Sequence, residues 1–265
     1  MTGELVAAVR RRTGELVAAL GTLDEDGLRA PSALPGWSRL TIACHLRYGA
    51  EAFGRMTAAA LEDRPVSYYP GGRAATRPAT LEPGPGEEPA DVVASLAEHS
   101  AALDAAWRRL SDERWEAVVR EPDDQPDLGP LPLARMPLLR LTEVEVHGSD
   151  LELGLGDWSE VFVRAALPFR LDWLNRRRTN HREVDASVTG SWLLTAPDGP
   201  TWRVAVEDGG VASVPVAAGA TADAVVEAPA RDLLALLLGR PLRTAPRYGG
   251  DAELGRAFAR AFPGP

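Results

Sequence analysis

Residues 140–151, Arg-Leu-Thr-Glu-Val-Glu-Val-His-Gly-Ser-Asp-Leu, constrain this chain more than any other stretch. At a helical advance of about 100° per residue, Glu143 and His147 lie one turn apart on one face, and Arg140 and Asp150 fall close to the same line. Apolar residues border that line, Leu139, Val146 and Leu153 on one side and Val144 and Leu151 on the other. Glu145, Gly148 and Ser149 are expected on the back. A solvated face sets its charges away from the apolar residues, whereas here they run between them. Burying an unpaired carboxylate is expensive, so these groups need partners or a metal. Glu-x-x-x-His offers an oxygen and a nitrogen within reach of one zinc-type ion. The same pair also makes an ordinary hydrogen bond on a helix surface, and spacing alone leaves both readings open.

The periodicity around this stretch predicts further helices. Leu5, Val9, Leu16 and Leu20 mark one over 4–20. After a short loop, Ser38 reads as the N-cap of a second, running to about Leu61. Its apolar stripe is Ile42, Leu46, Gly49, Ala50 and Phe53, with His45 at the edge. Taken alone, a histidine there reads first as a half-buried side chain with one hydrogen bond. Residues 62–88 form a Pro/Gly-rich loop too long for a passive connection. A third helix starts at Pro89 and runs to about Leu110, and a second loop spans 121–132. The helix of the opening stretch begins near Pro137 and ends around Gly154, and Asp157-Trp-Ser-Glu160 reads as a capping box for a helix over 158–177.

Beyond Arg178 the period changes. Two strands flank Pro197-Asp-Gly-Pro200, Asp208-Gly-Gly210 turns into a third over 211–216, and a fourth is expected at 224–228. Helices over 229–239 and 251–261 complete the chain. The expectation is therefore α plus α+β: an all-α part over 1–180 joined to a small α+β part over 181–265.

Composition excludes several functions. With 45% apolar and 25% charged residues and a net charge of −9, the chain reads as a soluble globular protein without the basic surface that nucleic acid or an anionic membrane requires. No apolar run approaches the ~18–20 residues of a membrane-spanning helix, and the N-terminus lacks the pattern of a signal peptide. One cysteine, Cys44, permits no internal disulfide, which fits a cytoplasmic location. All 29 basic side chains are arginine. That removes a Schiff-base lysine and the lysines of P-loop and kinase sites. The abundance of Ala, Arg, Gly and Pro fits a GC-rich coding genome.

Four antiparallel helices make a bundle, and bundles build metal sites between facing helices. His45 lies on the second long helix, Glu143 and His147 on the fourth. Two nitrogens and one carboxylate leave a fourth position open, the pattern of a catalytic zinc. Asp150, one turn beyond His147, is expected to orient a histidine or an arginine from behind, and Arg140 shares that supporting role.

Leu34-Pro-Gly-Trp-Ser with His45 downstream, Tyr69-Pro-Gly-Gly-Arg73, and Arg140-x-x-Glu143-x-x-x-His147-x-x-Asp150-Leu151 together resemble the mycothiol-dependent maleylpyruvate isomerase family, and the likeness continues at Leu238-Gly-Arg240. The resemblance implies a DinB-like four-helix metal-binding bundle followed by a sterol-carrier-protein-like domain, and an actinobacterial source. It carries the metal triad onto His45, Glu143 and His147, with zinc or another divalent ion as cofactor and mycothiol as thiol cosubstrate. It also makes Arg73 and Arg240 candidates for binding the substrate or the thiol.

Cys44 precedes His45 and points about 100° away from it, so the nucleophile is expected to be the cofactor's thiol. As an isomerase, a metal-activated thiolate would add to the conjugated double bond of a cis-enoyl acid. The single bond would rotate, and elimination would return the trans isomer with the thiol unchanged. As a transferase, the same thiolate would remain attached to an electrophile. A non-catalytic metal- or ligand-binding protein is a third reading. In each case the partners are small molecules, and the second domain is expected to contribute Arg240 to the site.

Overall fold

A computed structural model describes residues 1–123, 130–174, 185–197, 199–207, 210–217 and 219–264. Their contacts divide the chain into two compact units, Met1–Phe162 and Val163–Pro265. The expected boundary at 180 lies outside the described residues.

In the first unit four long helices surround one core: α1 (Thr2–Leu20), α3 (Arg39–Leu61), α5 (Pro89–Arg108) and α6 (Met136–Asp150), with a short α2 (Glu25–Arg29) after α1. Helix α1 packs on α5 and α6, and α3 packs on the same two. Leu16, Leu20, Ile42, Leu46, Met56, Leu96 and Leu141 fill the interior. Trp107, also fully buried, donates its indole N–H to Thr57 Oγ1 at 3.1 Å, so its one polar atom is satisfied. Ser38 caps α3 as expected, its Oγ accepting from the Thr41 N–H at 3.0 Å. Glu88 and Asp91 form a reciprocal capping box at the start of α5.

The structure corrects several sequence-based expectations. The loop after α1 contains α2, whose N-cap Asp24 accepts from the Gly27 N–H at 2.8 Å. The 62–88 loop carries a helical turn, α4 (Arg73–Thr76), and a 3-10 turn, Pro78–Leu81. At the second loop, β1 (Val118–Val119) pairs with β2 (Leu131–Pro132). Helix α6 stops at Asp150, short of Gly154. The Ala33 N–H takes the Asp150 carbonyl at 2.9 Å and Arg39 Nε takes the Leu151 carbonyl at 3.0 Å. Helix α7 (Glu160–Asp172) starts two residues later than expected, with Ser159 Oγ accepting from the Phe162 N–H, and its expected end at 177 lies outside the described residues.

The back of α6 is not solvated. Glu145 is 1% exposed, ion-paired to Arg12 Nε of α1 at 3.0 Å, and accepts the Ser159 hydroxyl at 2.5 Å. Ser149 accepts the Trp158 indole N–H at 2.7 Å. Helix α6 is therefore buried on two faces, each carrying a carboxylate.

The second unit is built on a five-stranded sheet of order β5-β4-β3-β6-β7: β3 (Gly190–Thr195), β4 (Thr201–Glu207), β5 (Gly210–Val216), β6 (Ala224–Glu227) and β7 (Arg247–Gly250). Strands β3, β4 and β5 form an antiparallel meander, β6 returns parallel to β3, and β7 pairs antiparallel with β6. The last strand, Arg-Tyr-Gly-Gly, was not expected because its composition reads as a turn. Helix α8 (Ala230–Leu238) precedes β7, and α9 (Ala252–Ala261) packs on β3, β6 and β7. There Trp192 meets Phe258 and Phe262 edge to face and donates to the Leu254 carbonyl at 2.9 Å. The architecture is thus α plus α+β, and among the described residues no helix is long and apolar enough to cross a membrane.

Arg12→Ala would leave Glu145 as a buried charge without its partner. Urea denaturation is expected to show a loss of about 3–5 kcal/mol, the range for breaking a buried ion pair from one side.

Candidate metal centre

Helix α3 presents His45, and α6 presents Glu143 and His147 one turn apart. The three side chains meet at one carboxylate oxygen: Glu143 Oε2 lies 2.9 Å from His45 Nε2 and 3.5 Å from His147 Nε2. The imidazoles are 5.0 Å apart between centroids and nearly perpendicular. Behind them, His147 Nδ1 is 2.9 Å from Asp150 Oδ2. A hydrogen bond there fixes the imidazole and leaves Nε2 directed at the shared oxygen.

Electrostatics sort the charges. Burial works against the Glu143 carboxylate, but hydrogen bonds from His147 and His45 outweigh it and hold the group well below the usual carboxylate range. Burial also opposes charge on His147, yet its bonds to Asp150 and Glu143 push it up to about 9. For His45 burial dominates, and the imidazole stays below its ordinary 6.5. The metal-free chain at neutral pH thus holds an ionised Glu143, a protonated His147 and a neutral His45.

One candidate ligand atom from each residue lies within 4.8 Å of the others, so the set could share a metal ion. The donors fit: two imidazole nitrogens and a carboxylate, with one imidazole braced by a carboxylate. Among the described residues, the buried His45 Nδ1 finds no hydrogen-bond partner.

Arg140 lies beside the triad without touching it. Its guanidinium donates to the Leu46 carbonyl of α3 at 2.9 Å and to Ser100 Oγ of α5 at 3.4 Å. Burial pulls it down to about 10, so it remains charged at neutral pH and acts on Glu143 through space. Gly49 makes this possible, since a Cβ there would sit 3.2 Å from both Arg140 Nη1 and the Tyr68 hydroxyl.

The triad opens on one side into a cleft of about 190 Å³, lined by His45, Glu143, Leu139, Phe53, Tyr68, Tyr69, Arg73 and Arg77. Glu143 is 34% exposed, against 13% for each histidine, so access is through the carboxylate. Tyr69-Pro-Gly-Gly-Arg73 builds the wall. Gly71 and Gly72 have φ of 81° and 91°, a reversal that side-chain-bearing residues rarely make, and Gly72 N–H closes the turn on the Tyr69 carbonyl at 2.9 Å. Helix α4 then presents Arg73 over the Tyr69 ring at 5.4 Å, and one turn on Arg77 lies 5.6 Å over the Trp37 ring. The Tyr48 hydroxyl, at 2.6 Å, and Arg55, at 3.1 Å, both donate to the Tyr68 carbonyl and hold the segment on α3.

The structure therefore gathers His45, Glu143, His147 and Asp150, with Arg73 on the same cleft. Arg240 belongs to the second unit, where its Nη1 donates to the Leu238 carbonyl at the end of α8, at 3.2 Å. Sequence reasoning missed Arg77, hidden by reading 62–88 as loop; its i+4 spacing from Arg73 was the available signal. Cys44 is fully buried, and burial pushes its thiol up to about 11.

Residues 9–152, more than half of the chain, match the family model described as the mycothiol maleylpyruvate isomerase N-terminal domain. The chain belongs to this family. The crystal structure of the mycothiol-dependent maleylpyruvate isomerase, and that of a histidine-to-alanine mutant of it, share its fold, each with a TM-score of 0.66 and 20% identity over 95% of this chain and 94% of theirs. The comparison with curated proteins finds no match. In this mycothiol maleylpyruvate isomerase family member, all the side chains gathered above except Arg240 lie within the matched segment.

The charge pattern carries a pH dependence for the metal-free protein. His147 is raised on folding, so its stabilisation is complete below about 6.5 and is lost as pH rises through about 9. Glu143 is lowered, so its contribution is present above about 4.5 and is lost as pH falls through its depressed value. Thermal melting of chelator-treated protein is expected to decline between pH 6.5 and 9, and Glu143→Gln is expected to flatten that decline.

Proposed function

We propose that this chain is a metal-dependent enzyme that uses mycothiol to catalyse cis–trans isomerisation of the maleylpyruvate type. The observation that carries this is the convergence of His45 Nε2 and His147 Nε2 on one Glu143 oxygen at the foot of a cleft walled by two arginines. On this reading the four long helices are a DinB-like bundle, the part of the chain from near residue 180 onward is sterol-carrier-protein-like, and the protein works in the cytoplasm on small molecules.

The bound ion, zinc on this reading, would supply Lewis acidity that lowers the pKa of a thiol. The thiol would supply the nucleophile that adds to and leaves a conjugated cis double bond. The chain's own residues supply the setting. His45 stays neutral and His147 gives up its extra proton when its Nε2 becomes a ligand. Asp150 keeps the His147 ring turned toward the cleft, and Arg140 offsets the Glu143 charge from within. Arg73 and Arg77 bind the carboxylates of the substrate, for which paired guanidinium N–H groups are suited. Phe53, Tyr68 and Tyr69 exclude water around the reacting carbons, and the buried Cys44 does not compete as a nucleophile. Arg240 remains the second unit's candidate for a further carboxylate.

Metal analysis of the purified protein is expected to give about one equivalent of zinc, lost in the Glu143→Ala, His147→Ala double variant. Equal metal content in the two proteins would refute metal binding at the triad. With maleylpyruvate, turnover is expected only when mycothiol is present, and the thiol is recovered unchanged. A product that retains the thiol, from a panel of electrophiles, would instead mark an S-transferase. Metal without turnover on any of them would mark a binding protein. Arg77→Met is expected to lower kcat/KM about 10–100-fold, through the loss of charge-assisted hydrogen bonds.

A further inference from the structure

Trp37 belongs to none of the roles assigned so far, yet its indole touches both histidines of the triad. It stacks on His147, at 6.1 Å between centroids and 14° between planes, and meets His45 edge on at 5.5 Å and 72°. The same ring carries the Arg77 guanidinium at 5.6 Å. One side chain therefore contacts both nitrogen donors, which come from different helices, and one cation of the cleft.

The mount of this indole is as constrained as its contacts. Trp37 N–H closes a turn on the Leu34 carbonyl at 3.0 Å, with Gly36 at φ 78° inside it. The Trp37 carbonyl accepts from the Ser32 N–H at 2.9 Å and from the Ser32 hydroxyl at 2.8 Å. The next residue, Ser38, caps α3 and so sets the distance from the indole to His45. One residue further on, Arg39 binds the Leu151 carbonyl, and Ala33 on the other side binds the Asp150 carbonyl. The turn thus joins the start of the helix that carries His45 to the end of the helix that carries His147.

We infer that Trp37 is a positioning residue of the metal centre, holding both imidazoles so that their Nε2 atoms converge on Glu143. A flat ring against one imidazole and an edge against the other adds to their hydrogen bonds by narrowing rotation about χ2. His45 depends on this most, because its Nδ1 has no hydrogen bond to orient it. For His147 the indole adds to the brace from Asp150. This inference rests on the metal reading of the triad and goes beyond it by naming what orients the ligands.

The test is zinc affinity, measured by chelator competition on the wild type, Trp37→Phe and Trp37→Leu, without reference to turnover. Phenylalanine keeps a π face, and its affinity is expected to stay within about threefold of wild type. Leucine keeps apolar bulk and loses the face, and affinity is expected to fall at least about tenfold, as for other residues that orient metal ligands. Equal affinity in wild type and Trp37→Leu would overturn the inference, as would equal losses in both variants, which would indicate packing alone.

Should Trp37→Leu fail to fold, 5-fluorotryptophan labelling of the wild type decides. The Trp37 resonance, identified by its absence from Trp37→Phe, is expected to shift on adding zinc, and a resonance that zinc leaves in place would overturn the inference. A wild type that binds no zinc refutes the metal reading and this inference with it. A wild type that binds zinc while Trp37→Leu binds it equally well refutes this inference alone.

Discussion

Arg140 carries a full positive charge into the interior of the helical unit, and much of the surrounding structure is arranged to accept it. A guanidinium keeps its charge at neutral pH even where burial opposes it, so the interior must offer it acceptors. It finds the Leu46 carbonyl on α3 and the Ser100 hydroxyl on α5, and thereby links three of the four long helices around one polar contact. Gly49 leaves the space for that approach, and Glu143, one turn along α6, supplies the opposite charge. The carboxylate at the foot of the cleft is thus balanced from inside the core by Arg140 and beside it by the protonated His147.

The parts that face the cleft are held by irregular chain. Two glycines of left-handed φ turn the segment after Tyr69 so that a single helical turn presents Arg73 and Arg77. A turn before α3 carries Trp37, and this turn, with Arg39 at the start of α3, captures the carbonyls at the end of α6. Loops placed on a rigid helical frame commonly carry binding residues. Here the frame supplies the triad and the loops supply its neighbours.

The legible part of the sequence was the part governed by periodicity and caps. The 3.6-residue repeat located the four long helices, and Ser38 and Pro137 marked two of their starts. The Glu143–His147 spacing, combined with the apolar borders, singled out the stretch that opens on the cleft. What stayed hidden depended on contacts distant in sequence. Glu145 lies on the back of its helix as expected, but nothing local announces its partner Arg12, which lies more than a hundred positions earlier. Helix α6 ends at Asp150, where Ala33 of the turn before α3 and Arg39 at the start of α3 take the carbonyls of Asp150 and Leu151, and no residue within the helix signals that. Arg77 and β7 were missed for a third reason: glycine- and proline-rich composition reads as loop even where a short turn of helix or an edge strand forms.

On the proposed function, in which the chain works with a free thiol, Cys44 has a consequence of its own. Disulfide exchange proceeds through the thiolate, and with a thiol at about 11 the ionised fraction at neutral pH is on the order of one in ten thousand. The sulfur is also fully enclosed. Under oxidising stress, exposed cysteines are capped by the small thiols around them, and a protein that collects such a thiol in its cleft meets it at high local concentration. The chain's one sulfhydryl sits where that capping does not reach, so the molecule can work among mixed disulfides without becoming one.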